Sequence, residues 1–134
     1  MYRFYKFPTL KGSDGADEFW DVAMNDWKLE KPRMIISVIG SGKSLKLSPK
    51  VRERFGRGLV RAILSSNAWV LTSGTNVGIA KEVGDAVTRY ALGKTEQINL
   101  IGFVQWNTLD EENQENVLNN TGKRWRYLAG NGAR

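Results

Sequence analysis

The sequence contains no cysteine and no histidine. Without cysteine there is no disulfide framework and no thiolate chemistry. Without histidine the chain lacks the usual neutral-pH general base, the usual catalytic dyads and triads, and the commonest metal ligand. Catalysis would then rest on carboxylates, lysine or tyrosine, so binding is the simpler expectation. No catalytic residue, metal ligand or cofactor is assigned. No apolar run approaches the roughly 18 residues of a membrane-spanning helix, so no membrane span is expected in this chain. The opening MYRFYKFPTLKGSDG has no apolar stretch long enough for a signal peptide.

What is present suits one α/β domain. At 134 residues, with 41% hydrophobic and 25% charged side chains, the chain has the length and composition of a single globular unit. Its net charge of +6 favours phosphate-bearing partners, although many domains carry such a charge for solubility alone. Seven basic residues fall between Lys43 and Arg61, against one acid, Glu53. No aromatic residue shares the basic face to stack bases, so no nucleic-acid partner is expected. Such a stripe is more often a solvated helix face or a protein contact. The acids Asp110, Glu111, Glu112 and Glu115 lack the glycine-punctuated spacing of a calcium loop and read as an exposed acidic loop.

The periodicity predicts three helices alternating with three strands. A short helix fits residues 18–28, capped by Asp17, with Phe19, Val22, Ala23 and Trp27 on one face. The β-branched run 34–39 does not alternate and suits a strand buried on both faces. Ser48 followed by Pro49 is an N-cap and first-turn proline, and opens a helix to residue 66. Val51, Phe55, Leu59 and Ile63 form its apolar stripe, and Lys50, Arg54, Arg57 and Arg61 a basic one. Asn67 is a helix stop, AWVLTS a second buried strand, and a third helix runs to residue 91, with Gly93 beyond it. INLIGFVQW, 98–106, is a third strand, and 107–134 is a polar loop and tail. The expected organisation is an N-terminal extension over 1–33, a Rossmann-like core over 34–106 and a tail over 107–134. Strands alternating with helices imply a parallel sheet, here an incomplete doubly wound one.

Two loops could hold a phosphate. MIISVIGSGKS ends in Gly42-Lys43-Ser44, as a P-loop does, but the first glycine of that motif would fall at Ser37, inside the strand. Gly40-Ser41-Gly42 also lacks the third glycine of a dinucleotide fingerprint, Leu45 standing in its place. The second loop, Ser73-Gly74-Thr75-Asn76-Val77-Gly78, lies between a buried strand and a helix. Amides at a helix N-terminus carry unsatisfied donors and partial positive charge. Both loops fall at the C-terminal ends of neighbouring parallel strands, where ligands sit in open α/β sheets. The competing reading is that both are ordinary strand-to-helix turns.

The segments IISVIG, RGLVRA, AWVLTSGTNVGIAKEVGDAV and IGFVQW together resemble the N-terminal cytosolic homology region of melastatin-subfamily transient receptor potential cation channels. That region is of the SLOG type and is similar to a wider Rossmann-like superfamily that includes cytokinin-activating phosphoribohydrolases. The resemblance implies a ligand-sensing module on the cytoplasmic side of a tetrameric channel, or a cytoplasmic protein if the chain stands alone. It implies an adenine nucleotide derivative such as ADP-ribose as ligand, held by Gly40, Ser41, Gly42 and Lys43 and by residues 73–78. The partners implied are the rest of a channel polypeptide and neighbouring subunits. Two alternatives remain: an assembly module that binds no small ligand, with the basic helix docking other subunits, and a phosphoribohydrolase-like enzyme. The resembling enzymes carry a Pro-Gly-Gly-x-Gly-Thr motif with a following Glu, which this sequence lacks, so the chain is not expected to be an enzyme.

Overall fold

The computed structural model describes residues 2–3, 12–40, 43–112, 114–115 and 124–125. Their contacts divide them into two units, one built on residues 32–104 and the other on the described residues before and after that stretch.

The first unit is a three-stranded parallel sheet with two helices, an α/β, Rossmann-like arrangement. It runs β2 (Met34–Ser37), α2 (Pro49–Ser66), β3 (Ala68–Thr72), α3 (Gly78–Tyr90) and β4 (Asn99–Gly102), and the strands lie in the order β2-β3-β4. Successive crossovers that step in one direction place both helices on the same face of the sheet. The register agrees, because Ile36, Val70 and Leu100 stand side by side. All three join the core formed with Val60 and Ile63 of α2 and Val83 and Ala86 of α3. Ile35, Trp69, Leu71 and Ile101 occupy the other face, where Trp69 is 1% exposed.

The local signals in α2 act as the sequence predicts. Ser48 Oγ accepts the Val51 amide at 3.3 Å, and Pro49 occupies the first turn. Asn67 closes the helix in a left-handed conformation at φ 48°, its amide bonded to the Ile63 carbonyl. Of the expected stripe, Ile63 is buried and Phe55 and Leu59 pack half-buried against the core, whereas Val51 is exposed; the fully buried line is Gly56, Val60 and Ile63. Glycine is unfavourable inside a helix by about 1 kcal/mol, so Gly56 needs a reason. A Cβ there would meet the Tyr90 ring at 2.5 Å and Ala86 Cβ at 3.2 Å. The glycine is what lets α2 and α3 approach. Gly58, one residue off that line, has nothing within 4 Å of such a Cβ. Gly56→Ala is therefore expected to lower stability by about 1–2 kcal/mol through overpacking, and Gly58→Ala to raise it by about 0.5–1 kcal/mol through helix propensity. Urea unfolding of the two variants checks the opposite signs. Destabilisation in both would remove close helix contact as the explanation.

Three expectations need correction. β2, which ends at Ser37, is not buried on both faces: it is a sheet edge, with Met34 45% and Ile35 51% exposed. A continuous apolar run cannot distinguish an edge from a centre, and strand order puts β3 in the centre. β4 ends at Gly102, although the Phe103 amide still bonds the Thr72 carbonyl at 3.0 Å, and Trp106 lies in the 3-10 turn Trp106–Thr108. The segment near 111, expected as loop, is helical at 111–112 and 114–115.

In the second unit, β1 (Tyr2–Arg3) pairs antiparallel with β5 (Arg124–Trp125). The helix expected over 18–28 begins earlier, as α1 (Gly12–Asp21), and ends in a π-helical turn, Val22–Asp26. The Trp27 amide reaches back five residues to the Val22 carbonyl at 2.8 Å. Of the expected apolar face, Val22 and Ala23 are buried, and Phe19 meets Trp27 edge-on at 6.4 Å.

Candidate functional site

Of the residues expected to bind a ligand, Gly40 follows the C-terminal end of β2 and Ser73 to Gly78 follow that of β3. Gly40, just past β2, lies against the first turn of α3, where a Cβ would come within 2.7 Å of Ile79 Cγ2. Ser41 and Gly42 fall outside the described residues. Lys43 is exposed. In the second loop, Ser73 Oγ and Thr75 Oγ1 hydrogen-bond at 2.9 Å. The Gly74 amide donates to Thr72 Oγ1 at 3.1 Å, so this amide is engaged within the chain. Gly74 has φ +70°, and a Cβ on it would lie 3.1 Å from the Gly102 backbone. The conformation and the close approach both require glycine.

Asn76, Val77 and Gly78 open onto a groove of about 360 Å³. Ser44 and Leu45 line one part of it, and Arg52, Lys81, Glu82, Asp85 and Arg89 line the rest. Val77 is the N-terminal flanking residue of α3 in an extended conformation, and no side chain caps this helix end. The first-turn amides of a helix have no intrahelical acceptors, so they are the natural donors to an anion there. Gly78 starts the helix at φ +59°.

The charges in the groove are mostly paired. Glu82 is buried and takes Arg52 in a two-pronged contact, Nε to Oε2 at 2.8 Å and Nη2 to Oε1 at 3.0 Å. The hydrogen bonds that Arg52 donates to Glu82, and the negative charge of that carboxylate, push the Arg52 pKa above its ordinary value, against a smaller opposing effect of burial. A guanidinium is cationic at any ordinary pH, so Arg52 brings a full charge to this contact. Lys81 pairs with Asp85 one turn on. Arg89 has no ion-pair partner among the described residues and is exposed. It is the cation most available to an incoming anion.

Sequence reasoning therefore reached part of this groove and missed its charged wall. Glu82 was visible as a carboxylate among the apolar positions Ala80 and Val83, which signals a buried ion pair. Its partner was not readable, because Arg52 lies on another helix, 30 residues away.

The family described as SLOG in TRPM matches residues 6–129. The chain is 44% identical over 88 residues, 64% of its length, to transient receptor potential cation channel subfamily M member-like 2 of Nematostella vectensis. It is 36% identical over 108 residues, 81% of its length, to subfamily M member 7 of Homo sapiens. It is 32% identical over 102 residues, 76% of its length, to subfamily M member 1 of Mus musculus. It spans about 6% of the length of each of these relatives. The match along nearly the whole chain, on a parallel α/β unit with its loops at one sheet end, leads to one conclusion: the chain belongs to the SLOG family found in TRPM channels.

Proposed function

We propose that this chain is a ligand-sensing module on the cytoplasmic side of a cation channel, and that it takes an adenine nucleotide derivative such as ADP-ribose at the start of α3. Family membership supports the channel setting. The observation that carries the ligand reading is the groove at Asn76, Val77 and Gly78, where an uncapped helix N-terminus meets a wall bearing Arg89. Phosphate oxygens would accept from the first-turn amides, the Asn76 carboxamide would bond a ribose or phosphate oxygen, and Arg89 would supply charge. Gly40 and Lys43 would border the same end of the sheet. The module senses rather than transforms its ligand, and the reading assigns no catalytic step.

Isothermal titration of the 134-residue protein with ADP-ribose is expected to give saturable binding. Asn76→Asp places a carboxylate beside the phosphates and is expected to weaken it at least tenfold, about 1.4 kcal/mol. Arg89→Glu should act in the same direction. Both positions are exposed, so circular dichroism should show native folds. Absence of binding at millimolar ADP-ribose would sink the ligand reading.

A further inference from the structure

We infer that the exposed basic face of α2 docks the acidic side chains Glu111, Glu112 and Glu115 of a second copy of this chain. Lys50, Arg54, Arg57 and Arg61 are all exposed and lie within about 60° of arc on the helix. Lys50, Arg54 and Arg61 have no hydrogen-bond or ion-pair partner among the described residues. Arg57 is held in place, paired with Glu53 at 2.9 Å and stacked 4.9 Å from the centre of the Tyr90 ring. Arg52 does not belong to this face, because it turns into the groove to meet Glu82. The face carries no aromatic side chain to stack a base, and the groove at Asn76 does not extend to it. It is a charged ridge suited to another protein surface. Gly58 beside it is open, so a partner backbone can come close.

The chain carries the complement. Glu111, Glu112 and Glu115 are exposed, and residues 111–112 and 114–115 are helical. They too have no partner among the described residues. Residues 111 and 115 are four apart, and 112 and 115 three apart. The basic row repeats the same steps, from 50 to 54, 54 to 57 and 57 to 61. The spacing of four from Glu111 to Glu115 matches that from Lys50 to Arg54 and from Arg57 to Arg61. The two surfaces differ, so the contact is heterologous and can pass from copy to copy. Contacts between exposed charges are weak one by one, so this one acts where copies are held close together.

The absence of cysteine allows a clean test. Gly58→Cys and Glu111→Cys chains are mixed in equal amounts under mild oxidation. The mixed disulfide should form about tenfold faster than either homodisulfide at low salt, and the preference should fade near 0.5 M NaCl, where the screening length is only a few ångströms. Adding Arg54→Glu and Arg61→Glu to the first chain should abolish the preference. Adding Glu112→Lys and Glu115→Lys to the second chain as well should restore it. Equal rates at low salt would overturn the inference, as would a faster disulfide between two Gly58→Cys chains. Binding to phosphatidylserine vesicles through Arg54 and Arg61, with no preference among the disulfides, would assign the face to a lipid surface instead and likewise overturn it.

Discussion

Gly74→Val is expected to destabilise the protein by about 3 kcal/mol, lowering the melting temperature by about 10–15 °C. Two effects add. The native φ of +70° is strained for a β-branched residue, by about 1–3 kcal/mol. The new Cβ would also press on Gly102 Cα and its carbonyl carbon, each 3.1 Å away. Those are backbone atoms of β4, held by the Phe103 amide to the Thr72 carbonyl, and they cannot swing aside as a side chain would. Overpacking of this kind is worth another 1–3 kcal/mol or so. Gly102→Ala meets the same contact from the other side, with its Cβ 2.5 Å from Gly74 Cα, and should be comparably damaging. Thermal and urea unfolding measure both. A Gly74→Val protein with native stability would mean the close approach is not needed by the fold. If that folded variant instead loses ADP-ribose affinity tenfold or more, glycine is serving the ligand. The engaged Gly74 amide favours the structural outcome, because that donor is already taken by Thr72.

The Gly74–Gly102 contact also shows where sequence reading stops. Signals contained in one stretch of chain were legible: Ser48 with Pro49, Asn67 at the end of α2, and Gly74 between strand and helix. Each depends on backbone chemistry within a few residues. Facts that depend on which elements become neighbours were not legible. Gly102 looked like any residue of a strand until β4 lay beside β3 and brought it against Gly74. Ile35 belongs to an apolar run, yet strand order leaves it on an edge. Arg52 read as one of seven clustered cations, and only the packing of α2 on α3 sets it apart by pairing it with Glu82. The candidate site divides in the same way. Asn76, Val77 and Gly78 were found from their loop, whereas the wall from Lys81 to Arg89 needed the fold to turn that side of α3 toward Ser44.

Gly40→Ala should likewise be destabilising, by about 1–3 kcal/mol, and its loss should be less than additive with that of a second change at Ile79. The added Cβ would sit 2.7 Å from Ile79 Cγ2 and 3.2 Å from Ile79 Cβ. Cγ2 is fixed directly to Cβ, and a β-branched side chain in a helix has one strongly preferred rotamer, so the methyl group cannot retreat cheaply. Ile79→Ala removes that methyl. Alone, it should lower stability by about 1–2 kcal/mol, since the side chain is only half-buried. In the double variant the new Cβ occupies part of the vacated space, so the two losses should fall short of additivity by about 1 kcal/mol, as expected for residues in contact. The cycle bears on function because Gly40 and Ile79 join the end of β2 to the first turn of α3, the two places where a ligand loop was expected. Coupling of that size would assign the Gly40 backbone to packing and shift the weight of ligand binding to Asn76, Val77 and Gly78. Strict additivity, with Gly40→Ala harmless to stability but costly to ADP-ribose affinity, would return Gly40 to the site.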